Sequence, residues 1–186
     1  PELHKEFAEY AIAHDKHFVV MYGQTEATAR MAYLPYPKAL EKYGSMGIAI
    51  PGGKFILGDV NGNPITEPDV VGELIYEGKN VTLGYAEKGE DLIKGDERAG
   101  RLETGDMAKM DADGYFFIVG RKKRFLKLFG NRINLDEIDR MVKKEFENLD
   151  VASNGTDELM KIYITDRDCI EKVAALVTER THINAR

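Results

Sequence analysis

Between Glu103 and Asp139 the chain places one carboxylate, Asp106, and three cations, Arg121, Lys127 and Arg132, at the ends of short apolar runs. A carboxylate accepts hydrogen bonds from ribose hydroxyls, and a guanidinium matches phosphate or carboxylate with paired donors. The set therefore suits a polyanion that carries hydroxyls, such as a nucleotide. Upstream, Tyr22-Gly23-Gln24-Thr25-Glu26 follows the apolar run Phe18-Val19-Val20-Met21. The tyrosine can stack on a base or pack an acyl group, the threonine can donate to a phosphate, and the glutamate can hold Mg²⁺ through hard oxygens. Each group also has a plainer account. Composition alone reads Lys122-Lys123-Arg124 as a solvated basic turn, and the upstream five residues as a strand end with its turn.

The elements that must carry these residues are legible around them. Met107–Met110 and Tyr115–Val119 flank Asp111-Ala112-Asp113-Gly114, which predicts a hairpin. A second short hairpin is expected around Gly130, between 125–128 and 132–133. Asn134 has the chemistry of an N-cap, with Glu137 three residues on, and Leu135, Ile138, Met141, Val142 and Leu149 recur at helical spacing. At the start, Leu3, Phe7, Tyr10 and Ala11 fit one face of a short helix. The run 18–22 has the length and apolarity of a strand buried on both faces, so this beginning looks like the tail of an α/β unit whose ligands lie at strand carboxyl ends.

Thr104-Gly105-Asp106, the Gly-Tyr turn, Gly120-Arg121-Lys122-Lys123-Arg124-Phe125-Leu126-Lys127 through Gly130-Asn131-Arg132-Ile133, and the acidic helix start Glu137-Ile138-Asp139 together resemble the late signatures of the adenylate-forming superfamily. That family holds the acyl- and aryl-CoA synthetases, luciferases and peptide-synthetase adenylation domains. Tyr22–Glu26 is similar to its YG-x-TE motif and lies upstream in the same order. Gly44-Ser45-Met46-Gly47, Pro51-Gly52, Gly72-Glu73-Leu74, Gly78 and Leu83-Gly84-Tyr85 resemble its scaffold turns, the last group as part of a distorted barrel. Leu102 and Glu103 depart from the aromatic and basic residues common before the TGD element, which puts any further contact from position 103 in doubt.

The resemblance implies an α/β and α+β chain. Residues 1–122 would end a large AMP-binding domain, and 123–186 would form an incomplete small α+β domain, with Lys123 as the hinge. Thr25 would contact the ATP or AMP phosphate and Glu26 the magnesium. Tyr22, Gly23 and Gln24 would border adenine and the acyl substrate, while Asp106 and Arg121 would hold the ribose. Lys127 and Arg132 match positions that face the site in one or other domain orientation, which makes Glu26 and Lys127 the candidate catalytic residues. The implied cofactors are ATP/AMP, Mg²⁺ and CoA or phosphopantetheine. The implied partners are a small-molecule carboxylate and CoA or a carrier protein. The family's Ser/Thr/Gly-rich phosphate loop and late lysine have no counterpart here, so the chain is expected to be an inactive fragment of a larger ligase. Two alternatives stand beside this one: a non-catalytic nucleotide-binding or regulatory module, and a structural domain whose charged turns are only solvated.

Composition narrows the field. The 186 residues carry 32 acidic and 26 basic side chains, a net charge of -6, which argues against nucleic acid or an anionic membrane as the main partner. No apolar run reaches the roughly 18 residues of a membrane span. Cys169, the single cysteine, forms no intrachain disulfide and fits a reducing, cytoplasmic setting; its place in a predicted helix suggests packing rather than catalysis. The four histidines and Cys169 show no zinc-ligand spacing. Asp59-Val60-Asn61-Gly62-Asn63 invites a calcium loop, but Pro64 and Val70 occupy the positions that need Gly and Glu. A hairpin turn is expected there, between strands at 55–57 and 72–76. Residues 27–42 and 87–100 are expected to be loops. A strand at 161–165 precedes a helix capped by Asp168, with Ile170, Val173, Ala174 and Val177 on its inner face.

Overall fold

The computed structural model describes residues 2–128 and 130–183. Contacts divide the chain into two compact units, Pro1–Val119 and Gly120–Arg186.

The first unit opens with helix α1 (Glu2–Ala13). Strands β1 (Val20–Tyr22), β2 (Ala32–Leu34) and β3 (Ile48–Ala49) form an antiparallel sheet in that order. A five-stranded sheet follows, built from β4 (Gly53–Gly58), β5 (Pro64–Ile65), β6 (Gly72–Gly78), β7 (Arg101–Met110) and β8 (Phe116–Arg121), in the order β5-β4-β6-β7-β8. One apolar cluster, with Met31, Phe55, Leu74, Tyr76, Leu102 and Phe116, fills the space they enclose.

Several expectations hold here. The hairpin at 111–114 is present, closed by the Asp111 N–H donating to the Tyr115 carbonyl at 2.9 Å. Lys42 reaches across to Asp111 at 2.9 Å and Asp113 at 2.5 Å, so the tip is braced as well as solvated. Those two bonds, Asp113 first, hold the Lys42 ammonium above the ordinary lysine value. The turn after β4 is a hairpin too. The Asp59 carboxylate is taken up by the backbone N–H groups of Asn61 and Asn63, both at 2.8 Å.

Others need correction. β1 is shorter than the apolar run and is not buried on both faces: Met21 is 48% exposed. Among the described residues it pairs with β2 alone, antiparallel. The buried face of α1 is Ala8 and Ala11, while Leu3, Phe7 and Tyr10 are exposed. Phe7 instead stacks on Phe18, ring centroids 5.8 Å apart. Residues 27–42 are not all loop, since β2 lies within them. Three residues ahead of Pro35 carry too little pattern to declare a strand.

His4 in α1 gives a testable pH dependence. Its Nδ1 accepts from the Gly44 N–H at 2.8 Å, and its Nε2 is buried. Desolvation, opposed by the Ala39 backbone, holds its pKa below the ordinary 6.5. The unfolded chain therefore takes up this proton first. The stabilisation is complete above about pH 6.5 and is lost as the pH falls through the lower, folded value. Protonation also removes the acceptor that Gly44 uses. The melting temperature should drop by about 2 °C more between pH 7 and 5 than in His4→Asn, whose amide oxygen accepts without titrating. Equal slopes in thermal melts followed by circular dichroism would exclude His4 as the cause.

The second unit contains hairpin β9 (Phe125–Leu128) and β10 (Asn131–Asn134), helix α2 (Leu135–Glu145), hairpin β11 (Val151–Gly155) and β12 (Met160–Ile164), and helix α3 (Ile170–Thr181). Leu126, Leu128, Ile138, Val142, Val173 and Val177 are among its core residues. Asn134 caps α2 as expected, accepting from the Asp136 N–H at 3.0 Å. Leu149 is buried but lies beyond the end of that helix. A short 3₁₀ turn, Arg167–Cys169, precedes α3, so the capping carboxylate is Asp166, which accepts from the Asp168 N–H. Ile170 is exposed, leaving Val173 and Val177 as the buried positions of α3. Cys169 is a free thiol, part-buried, its pKa raised mainly by desolvation.

Candidate functional site

The centre of the site is a break in a sheet ladder. Opposite β6, the pairing passes from Glu73 with Met107 to Ile75 with Glu103. Thr104, Gly105 and Asp106 therefore bulge out of register. Bulges bend a strand and re-aim its side chains, and here Gly105 supplies the turn with φ 70°. Thr104 ties the bulge down: its hydroxyl donates to the Leu74 carbonyl at 2.7 Å and accepts from the Asp106 N–H at 3.1 Å.

The result is a nearly buried Asp106, 5% exposed, facing the end of β1. Tyr22 donates its hydroxyl to Asp106 Oδ2 at 2.5 Å, and Gln24 Nε2 donates to the same oxygen at 3.0 Å and to the Thr104 carbonyl at 3.0 Å. Two residues of one motif thus meet on the carboxylate of a distant one. Gly23 has a structural reason to be glycine. A Cβ there would lie 2.3 Å from the Ala29 carbonyl oxygen, because the chain folds back past it.

Thr25 and Glu26 lie in the 3₁₀ turn Thr25–Ala27 that follows. Thr25 donates to Glu26 Oε2 at 2.9 Å, and Tyr85 donates to Glu26 Oε1. The Tyr85 hydroxyl first, then the backbone N–H and the Thr25 hydroxyl, hold the Glu26 carboxyl below the usual carboxylate range. Tyr85 was legible only as part of a scaffold turn, since its partner lies far away in sequence. The local pattern gives Thr104 no separate role, since the carbonyl it bonds lies 30 residues away.

The remaining candidates lie past the boundary at Val119, which falls within β8, and so belong to the second unit. Arg121 ends β8, and Lys122–Arg124 form a 3₁₀ turn that includes Lys123. Lys127 and Arg132 are directly opposed across the β9–β10 hairpin and exposed. Arg132 lies over the Phe125 ring, 4.5 Å from its centroid, and the Lys127 N–H donates to Asp157 at 2.7 Å. Arg124, the last residue of the basic run, is not a solvated cation. Its guanidinium donates to Asp136 at 2.7 Å, to Asp139 at 2.5 Å and to the Ser153 carbonyl at 2.5 Å.

A carboxylate in a strand bulge, braced by a tyrosine and a glutamine and neighboured by a threonine–glutamate turn, suits a nucleotide-handling protein. The comparisons with known proteins agree. The family described as AMP-binding enzyme matches residues 1–86. A long-chain-fatty-acid–CoA ligase of Yersinia pestis is 33% identical over 162 residues, covering 82% of this chain and 28% of that protein. Nonribosomal peptide synthetase 30 of Fusarium vanettenii is 30% identical over 173 residues, covering 79% of this chain and 3% of that protein. An O-succinylbenzoate coenzyme A synthetase from Bacillus subtilis, in complex with its acyl-adenylate intermediate, superposes with a TM-score of 0.71 at 18% identity, over 98% of this chain and 39% of that one. The chain belongs to the adenylate-forming superfamily and has its mixed α/β fold. It spans less than a third of the curated ligases it matches. No helix among the described residues is long and apolar enough to cross a membrane.

Proposed function

We propose that this chain is the nucleotide-facing part of an ATP-dependent, carboxylate-activating ligase. The observation that carries this is the convergence of Tyr22 and Gln24 on the Asp106 carboxylate, beside the Thr25–Glu26 turn. In the reaction, an oxygen of the substrate carboxylate attacks the α-phosphorus of ATP. The bond to pyrophosphate breaks, leaving an acyl-adenylate. A thiol of CoA or of a carrier protein's phosphopantetheine then takes the acyl group and releases AMP.

The side chains divide this work by their chemistry. Asp106 accepts from the ribose hydroxyls, and Arg121 is the second residue proposed for the ribose. Tyr22, Gly23 and Gln24 border the adenine and acyl group. Thr25 donates to phosphate. Glu26 and Thr25 offer hard oxygens, and one carboxylate plus substrate phosphates is the donor set Mg²⁺ favours. The ion would neutralise developing phosphate charge. Lys127 and Arg132 are the exposed cations that the small domain carries on its β9–β10 hairpin.

Lys123 is the proposed pivot between residues 1–122 and 123–186. A pivot must absorb a change in φ/ψ between two poses, and proline fixes φ near -65° and removes a donor. In the full-length protein, Lys123→Pro should keep acyl-adenylate formation within about threefold while cutting thioester formation at least about tenfold. Single-turnover assays of each step, with Lys122→Pro as the control for general damage, decide it. Equal losses in both steps would place the pivot elsewhere.

The activity itself is tested by carboxylate-dependent ATP–pyrophosphate exchange. The full-length protein should show it and the 186-residue chain should not. Exchange by the chain alone would refute the division of labour proposed here.

A further inference from the structure

The segment from Val81 to Arg98 wraps the Thr25–Glu26 turn in the first unit. The Thr82 N–H donates to the Glu26 carbonyl at 2.8 Å, and Asn80 donates to the Ala27 carbonyl at 2.6 Å, so the two backbones are already fastened side by side. Tyr85 leaves that fastened segment and donates to Glu26 Oε1. Arg98, half-buried, closes the arrangement. Its guanidinium lies 4.6 Å from the Tyr85 ring centroid and donates to Thr82 Oγ1 at 2.5 Å. Both oxygens of Glu26 thus have a donor, Thr25 on one and Tyr85 on the other. A glutamate side chain has three rotatable bonds and no reason of its own to hold one pose. Here the donor on Oε1 is fixed by a stacked cation, and the cation by a threonine hydroxyl.

We propose that Tyr85, held by Arg98, is a positioning residue that sets the orientation of the Glu26 carboxylate before a divalent cation and nucleotide phosphates arrive. This rests on the proposal above that Glu26 meets the metal. Partners that orient a ligating side chain typically change metal affinity tenfold or more. An aromatic ring under a guanidinium adds rigidity without adding a ligand.

The test uses the 186-residue chain and Mn²⁺·ATP as the probe, with free Mn²⁺ read by electron paramagnetic resonance. Tyr85→Phe removes one hydroxyl and keeps the ring, so the fold is undisturbed. It should weaken Mn²⁺·ATP binding about tenfold, Arg98→Gln should weaken it less, and Lys88→Gln should leave it unchanged. A second measurement needs no metal. Side-chain couplings and the carboxyl ¹³C resonance of Glu26 should report one rotamer in the wild-type chain and an average in Tyr85→Phe. If Glu26→Gln binds Mn²⁺·ATP as tightly as wild type, the assignment of Glu26 to the metal fails. If Glu26→Gln weakens binding but Tyr85→Phe does not, the positioning role of Tyr85 fails. An unchanged Glu26 rotamer in Tyr85→Phe also overturns it, whatever the chain's affinity for Mn²⁺·ATP.

Discussion

Replacing Asp106 by asparagine should weaken nucleotide binding by about ten- to a hundredfold, the range for losing a hydrogen bond made by a charged group. Asparagine keeps the shape and one acceptor oxygen, so Tyr22 and Gln24 retain a partner and the bulge at 104–106 survives. Asp106→Ala should add a loss of stability of about 1–3 kcal/mol, because two donors then face a void where the acceptor stood. Asp113→Ala is the control. That carboxylate bonds to Lys42 at a hairpin tip and its side chain is 66% exposed, so affinity should stay near wild type. Equilibrium dialysis with labelled AMP compares the three. Equal affinities for Asp106→Asn and Asp113→Ala would remove Asp106 from the site.

The second large effect lies in the other unit. Arg124 bonds Asp136 on α2, Asp139 on α2 and the Ser153 carbonyl on β11, and Ser153 Oγ donates to the second oxygen of Asp139 at 2.5 Å. Removing one partner of a buried ion pair costs several kcal/mol because the other charge is left uncompensated. These side chains are 20–35% exposed, which lowers the cost. Arg124→Ala should therefore destabilise residues 120–183 by about 2 kcal/mol, and Arg124→Lys by less, since one ammonium cannot serve three acceptors. Native-state hydrogen exchange of α2 and β11 amides gives the value for this unit alone. The exposed Lys144→Ala should change it by less than about 0.5 kcal/mol. An Arg124→Ala value as small as that of Lys144→Ala would show the network to be a surface contact.

These two residues also mark how far the sequence could be read. Asp106 was legible because its motif is local and because short turns announce themselves through Gly and Asp. The hairpins around 111–114 and 130 and the Asn134 cap were legible for the same reason. Arg124 was not. Its partners lie 12, 15 and 29 residues away, and no local pattern distinguishes it from Lys122 and Lys123. Tyr85 was missed as a partner of Glu26 for the same cause, at a separation of 59 residues. Strand β11 carries only Val151 and Ser153 inward, too few for periodicity to register. Helix α1 and the burial of Ala11 were legible, but the rest of its face was not, because small Ala8 packs inward while Leu3, Phe7 and Tyr10 stay exposed.

Titration of ATP·Mg²⁺ into the isotopically labelled 186-residue chain, followed by amide and side-chain NMR, tests the nucleotide site most directly. Saturable shifts should appear at Tyr22, Gln24, Thr25, Gly105 and Asp106 at one common dissociation constant. Absence of saturation, or saturation confined to residues outside the β1 end and the β7 bulge, would contradict a nucleotide site built on Asp106.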